Sequence, residues 1–311
     1  MPSADPSAPR RFLVIRNPAA GRRHPRRLRQ VLALLRQGRG VVDVVETRAR
    51  GDARRLARDV ERGRYDVVVA AGGDGTISEV VNGLVDRRED DLALGIIALG
   101  TANVLAREIG VGQDATAMAA ALLDGAPTPI AVGQRAGGGG SPTCFVQMVG
   151  AGFDAHVVAG VGDDLKRWLG KGAYAWRSLV ELLRYRNGRY RLEIDGDVHS
   201  AASAIVSRGR LYGGAFVVAP AADQRRPVLS VCLFERGGRW QVLRYGAALM
   251  LGRLPVTSGY RIIEAAQVRI EAANGTAGAP EPLQVDGDRG STLPVSVTLS
   301  PRRVRLMMPP A

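Results

Sequence analysis

Ala70–Gly83 reads AAGGDGTISEVVNG and follows the apolar run YDVVV, Tyr65–Val69. Gly72, Gly73, Gly75 and Asp74 lie between a strand-like run and a segment, TISEVVNGLVD, that reads as a helix and carries the stretch's fourth glycine, Gly83. Glycine permits positive φ and lets main-chain N–H groups approach an anion, while the helix start behind the turn adds partial positive charge. Those features suit phosphate. Asp74 fits beside phosphate only with a cation between them, so the turn points to a Mg2+-complexed nucleotide triphosphate. The plain alternative is a strand-to-helix turn whose Asp caps the helix. The pattern is neither G-x-G-x-x-G/A nor the P-loop, which needs Lys-Ser/Thr after its last glycine. The chain's two lysines, Lys166 and Lys171, lie far away in sequence.

Strands and helices alternate around this turn through the first ~125 residues. RFLVIR, VVDVVET, YDVVVA and LALGIIAL read as strands; HPRRLRQVLALLRQG, GDARRLARDVERG and TISEVVNGLVD read as helices. The first helix gathers Leu28, Val31, Leu32 and Leu35 on one face. Continuous β-branched runs between amphipathic helices predict a parallel sheet covered on both faces. Ligands collect at the C-terminal ends of such strands. Three small-residue loops fall there: NPAAG, GGDGT and GTAN.

The texture changes after DGAPTPI. Gly137–Gly140 with Ser141 and Pro142 predict a hairpin turn, and from about Arg189 short alternating strands dominate: RYRLEID, ASAIVS, AFVVA, LSVCLF, QVRIEA, LQVDGD and VSVTLS. The expectation is an α/β fold: a three-layer nucleotide domain over 1–128, a β-rich antiparallel domain over 129–300, and a segment 301–311 returning to the first. Helices are expected at about 163–186 and 238–252.

The 311 residues carry a formal charge of +13, nearly all of it arginine. That bias fits a polyanionic partner or a GC-rich genome equally well. No apolar stretch reaches the length of a membrane span, and MPSADPSAPRR has no apolar core of a secretory signal. Cys144 and Cys232 sit in strand-like runs and read as reduced, buried thiols; His24, His156 and His199 have no metal-ligand spacing. A cytoplasmic protein is expected.

LQVDGD closes a β-run with Asp286 and Asp288 at i and i+2, on one side if the backbone stays extended. One acid can accept a proton from an attacking hydroxyl while its neighbour positions or holds metal. A calcium loop is excluded because its twelfth position is Val297, and a plain hairpin turn is the remaining alternative. VGAGFDA matches G-x-G-x-x-A through Gly150, Gly152 and Ala155, but no second strand ending in an acid follows, so an oxidoreductase is a poor reading.

With these segments in view, the chain resembles the diacylglycerol kinase catalytic-domain family, which includes bacterial lipid kinases and sphingosine and ceramide kinases and is distantly similar to NAD kinase and phosphofructokinase. The resemblance runs through IRNPAAG, AAGGDGTISEVVNGL, IALGTANVLARE, GAGFDA, YGGAFVVAPAA, QVDGD and VRLMMP. It implies ATP and Mg2+, with Asn17, Pro18, Ala19, Ala20 and Gly21 at the nucleotide, Ala20 standing where serine is usual. It implies Thr47 lining the same site, the turn Gly72, Gly73, Asp74, Gly75, Thr76 through Glu79 wrapping the phosphates, and Thr101 from the next loop. Ser78 replaces an asparagine. Asp286 and Asp288 match an Asp-Gly-Glu whose acids deprotonate the lipid hydroxyl, and which of the two is the base stays open. Asp74 is the implied metal ligand and third catalytic residue.

Other positions depart from the family: Val104 and Arg208 replace an aspartate and an asparagine, and Arg226 to Ser230 replaces Asp-Gly-x-Leu-Asp. In some relatives that region binds a structural Mg2+; Arg226 cannot ligate a cation, so no such site is expected.

Leu165–Arg186 and Gly237–Leu254 hold all three tryptophans and interleave Trp, Tyr and Leu with Arg and Lys, a composition suited to a bilayer interface. The ordinary alternative is an amphipathic helix packed on the β-domain. The reading is an ATP-dependent lipid kinase converting diacylglycerol to phosphatidic acid at an anionic bilayer. A sphingoid-base or other lipid-alcohol kinase, a soluble-substrate kinase of the NAD-kinase type and a weakly catalytic nucleotide- or membrane-binding relative are the alternatives. Peripheral membrane association is expected and nucleic acid is not; a homodimer stays open.

Overall fold

β1 (Arg11–Arg16), β2 (Val41–Glu46), β3 (Val67–Gly72) and β4 (Ala93–Ala98) are runs of β-branched and small apolar residues joined by helices. In this computed structural model, which describes residues 9–21, 24–89, 91–160, 188–273 and 281–310, they pair in parallel in the order β2-β1-β3-β4. β3 and β4 are buried along their whole length, as strands covered on both faces are, whereas edge strand β2 leaves Val41 and Val44 exposed. The helices are α1 (Pro18–Gly21), α2 (Pro25–Gln37), α3 (Asp52–Arg58), α4 (Asp74–Asp86), α5 (Val104–Glu108) and α6 (Ala115–Leu123). α2 buries Leu28, Val31 and Leu35 at helical spacing, with Leu32 turned half outward.

The chain divides into two units, one reaching Ile130 and resuming at Arg302, the other Ala131–Pro301. The first unit's sheet gains a fifth strand from the end of β18 (Val295–Met308), where Arg305 and Leu306 pair in parallel with Ala93 and Leu94.

The second unit is a β-sandwich. β5 (Ala126–Gly137) enters it and turns into β6 (Gly140–Phe145) through Gly137, Gly138 and Gly139, all at positive φ. There follow β7 (Met148–Ala151), α7 (Phe153–Gly160), β8 (Tyr190–Ile194), β9 (Asp197–Ala201), β10 (Ser203–Ser207), β11 (Leu211–Tyr212), β12 (Phe216–Val217), β13 (Leu229–Phe234), α8 (Arg239–Met250), β14 (Tyr260–Ala265), β15 (Gln267–Ala272), β16 (Pro282–Val285) and β17 (Asp288–Thr292). One antiparallel sheet runs β14-β13-β10-β7-β16-β17; in the facing sheet β15 lies between the start of β18 and the β8–β9 hairpin. Strand alternation sorts the core. Ala204, Val206, Val231 and Leu233 face the inner core with Val268, Ile270, Val295 and Val297, while Ile205 and Cys232 point to the outer layer with Tyr245 of α8. β7 therefore sits among antiparallel neighbours, and VGAGFDA is not a dinucleotide turn. The helix expected at about 163–186 lies outside the described residues.

Both cysteines are buried free thiols. Burial pushes the Cys232 thiol from 9.0 up to about 12, and burial raises Tyr260 as well. Between those values the unfolded thiol ionises while the folded one keeps its proton, so stability present below pH 9.0 is lost as pH rises. The melting temperature should fall through this window, and Cys232→Ala should flatten the slope; an equal slope in the variant contradicts this assignment.

Candidate active site

The three loops predicted at one sheet edge do meet within the first unit. Asn17, directly after β1, donates its main-chain N–H to Ala71 O (3.0 Å), accepts the Ala19 N–H on Oδ1 (3.0 Å) and donates Nδ2 to Thr76 Oγ1 (3.2 Å). The loop after β1 is thus pinned to the turn after β3. That turn touches the loop after β4 backbone to backbone: a Cβ on Gly100 would lie 2.5 Å from Gly73 Cα and 2.7 Å from Asn103 Oδ1. A Cβ on Gly72 would lie 2.3 Å from Thr76 Oγ1. Gly100→Ala should therefore force the loops apart and cost about 1–3 kcal/mol, read as a lower melting temperature; an unchanged melting temperature refutes the tight contact. Thr47 directly follows β2, with its N–H on Arg16 O (2.9 Å), and Thr101 lies exposed in the loop after β4.

Asp74 is the first residue of α4, yet its carboxylate reaches across to α5. Oδ2 accepts the Asn103 N–H (2.9 Å) and Oδ1 the Val104 N–H (2.7 Å). Asn103 adopts φ +49°, the left-handed start that turns these donors toward it. Burial pushes the Asp74 carboxyl upward in pKa, opposed by the same N–H groups. Val104, standing where the family has aspartate, contributes its main-chain N–H.

A magnesium–polyphosphate complex fits this donor set. The glycines leave the backbone bare, and Mg2+ commonly shares one or two carboxylates with phosphate oxygens. Among the described residues no three His, Cys, Asp or Glu side chains gather to hold a metal by themselves. Glu79 belongs to the scaffold: its Oε1 and Oε2 accept the N–H groups of Gly51 (2.9 Å) and Ala53 (3.1 Å) at the start of α3.

In the second unit, Asp286 and Gly287 form the two-residue turn between β16 and β17, at φ +49° and +79°. Asp-Gly suits such hairpins because both positions need positive φ. The backbone is therefore not extended, and the expected i, i+2 pair on one side does not form. Asp286 Oδ2 accepts the Val146 N–H (3.0 Å), and Oδ1 accepts those of Gln147 (2.8 Å) and Met148 (3.0 Å). Asp288 opens β17 with a half-buried side chain.

Asp154 is the residue that motif reading passed over. It lies in the first turn of α7 inside GAGFDA, where Tyr212 Oη donates to Oδ1 and the Gln284 amide lies alongside. Burial raises its pKa above the ordinary carboxylate range. Gln284 Oε1 in turn accepts the Gly287 N–H (2.9 Å), so this buried acid supports the hairpin that presents Asp288. Its signal was an acid two residues after Gly152 in an otherwise apolar run.

Arg226 pairs on the surface with Glu264 (2.6 Å). Arg208, by contrast, lies in the interior, 1% exposed. Its Nε donates to Ala131 O (3.1 Å), Nη1 to Val228 O, and Nη2 to the carbonyls of Gln224 (2.9 Å), Arg226 (2.7 Å) and Asp223 (3.4 Å).

Comparison with known proteins agrees with this architecture. Residues 11–135 match the diacylglycerol kinase catalytic domain, and residues 147–308 match the YegS C-terminal NAD kinase beta sandwich-like domain. A diacylglycerol kinase of Bacillus subtilis is 27% identical over 306 residues, covering 96% of this chain and 97% of the relative. Lipid kinase YegS of Escherichia coli K12 is 32% identical over 212 residues, 67% of this chain and 69% of the relative. A crystal structure of a diacylglycerol kinase from Bacillus anthracis superposes with a TM-score of 0.74 at 20% identity, over 97% of each chain. The chain belongs to the diacylglycerol kinase catalytic-domain family of lipid kinases, with a YegS-type C-terminal domain.

Proposed function

We propose that this lipid kinase transfers the γ-phosphoryl group of ATP to the hydroxyl of diacylglycerol, giving phosphatidic acid and ADP. The observation that supports it best is the convergence of three small-residue turns after β1, β3 and β4, with Gly73 and Gly100 in backbone contact. Asn17–Gly21, Thr47, Gly72–Thr76 and Thr101 hold the nucleotide; Glu79 shapes the site only through α3. Mg2+, when bound, supplies charge neutralisation at the phosphate oxygens, and Asp74 is the side chain that shares it. The lipid oxygen attacks the γ-phosphorus, the bond to the β,γ-bridging oxygen breaks, and the hydroxyl proton passes to a carboxylate.

Asp288 is that base. Asp286, gripped by three main-chain donors, positions the hairpin. Incubation with γ-labelled ATP, Mg2+ and a total lipid extract tests the reading. Label in a chloroform-soluble product supports it, and its chromatographic identity separates diacylglycerol from a sphingoid or other lipid alcohol. Label confined to water-soluble product selects a kinase of the NAD-kinase type.

A further inference from the structure

α8 shows two unlike faces. Its inner face is anchored: Tyr245 is buried, its hydroxyl donates to Gly259 O (2.8 Å), and its ring meets Phe234 edge-on with centroids 5.2 Å apart. Ala248 and Leu249 pack on the same outer core layer of the sandwich. The opposite face is apolar and bare. Trp240 is 82% exposed, Met250 and Leu251 74% each, and Leu243 47%. Residues advance about 100° each along a helix, so Met250, Leu243, Ala247, Trp240 and Leu251 share an arc of about 100°. Arg239 borders that arc on one side and Arg244 on the other, both exposed.

Charge completes the pattern. Arg236–Ser258 contains four arginines, Arg236, Arg239, Arg244 and Arg253, and no acid. Val256, in the short 3-10 turn after the helix, extends the bare apolar surface at 81% exposure. An apolar stripe with a tryptophan, bounded by cations on both sides, has the make-up of a helix lying in the plane of a bilayer interface. A second copy of the same face would set arginine against arginine.

We infer that the outer face of α8 is a docking surface for an anionic lipid bilayer, with Trp240, Leu243, Met250 and Leu251 entering the acyl boundary and the flanking arginines meeting lipid phosphates. Among the described residues no helix is long and apolar enough to cross a membrane, so attachment here lies in the interface. This surface shares no residue with those assigned to phosphoryl transfer, and its test needs no nucleotide.

The test is cosedimentation of the full chain with phosphatidylcholine vesicles, with and without phosphatidylglycerol. Binding is expected only with phosphatidylglycerol. Each arginine near an anionic leaflet adds roughly 1 kcal/mol, so Arg239→Gln with Arg244→Gln should weaken binding about 25-fold. Trp240→Ser with Met250→Ser should weaken it at least as much at an unchanged melting temperature, since both side chains are exposed. Wild-type vesicle binding by the Trp240→Ser, Met250→Ser protein overturns the inference, as does equal binding to both vesicle types. Concentration-dependent dimerisation abolished by those substitutions, without vesicle binding by the wild type, overturns it in favour of a second copy. Phosphorylation of acceptor dispersed in detergent reports the kinase reading separately, so either can fail alone.

Discussion

Asp288→Asn should lower kcat for lipid phosphorylation by about 100- to 10,000-fold, the range associated with a positioned general base, while leaving the melting temperature within a degree or two of wild type. The half-buried side chain heads β17 and asparagine keeps its shape, so little packing is lost. Asp286→Asn should behave differently. Two carboxylate oxygens accept three main-chain N–H groups there, and an amide offers one oxygen and turns an NH2 group toward a donor. Leaving buried donors unsatisfied costs about 1–3 kcal/mol. Activity should then fall with stability, and the two variants are told apart by melting temperature. Comparable destabilisation in both variants would remove the division of labour between the two acids.

Arg208 carries the second large effect. Five carbonyl oxygens, from Ala131, Asp223, Gln224, Arg226 and Val228, converge on one guanidinium. Its charge is also felt by the Asp223 carboxylate, which Arg225 holds below the ordinary range by direct hydrogen bonds. Arginine presents five N–H donors in a fixed fork, whereas lysine presents three from a point charge. Removing the fork leaves buried acceptors without donors, and Arg208→Ala should cost about 3–5 kcal/mol, comparable to breaking a buried ion pair. Arg208→Lys should fall between that variant and the wild type, and added guanidinium at low concentration should restore part of the melting temperature of Arg208→Ala. An Arg208→Ala protein that melts like wild type would show that the carbonyls do not need a cation.

Much of this was legible in the residues, for identifiable reasons. The all-parallel sheet of the first unit follows from uniformly apolar runs such as Val67–Ala71, since only strands covered on both faces lose alternation altogether. β9 and β14 were harder to see. Asp197–Ala201 is polar and half exposed at a sheet edge, and β14 mixes Arg261 and Glu264 with its apolar residues, so neither has a clean period of two. The helix expected over Gly51–Gly63 stops at Arg58 because the chain leaves the helix at Asp59 and turns through Gly63 at φ +71°.

In the candidate site, the glycine turns announced themselves by composition, but the roles of the acids did not. Asp74 was legible as a helix-start acid; that it also bridges to Asn103 and Val104 depends on residues 29 and 30 positions away. Glu79 looked like part of the phosphate turn because it follows it closely, yet a helical side chain one turn further on faces α3. Arg208 read as a departure from a pattern, and only tertiary structure supplies the five carbonyls that explain it.

The most direct test is transfer of label from γ-labelled ATP to purified diacylglycerol by the wild-type chain and by Asp288→Asn, both folded by melting temperature. Labelled phosphatidic acid with the wild type, and its near absence with Asp288→Asn, is the predicted result. No labelled lipid with the wild type, or equal labelling by both proteins, would contradict it.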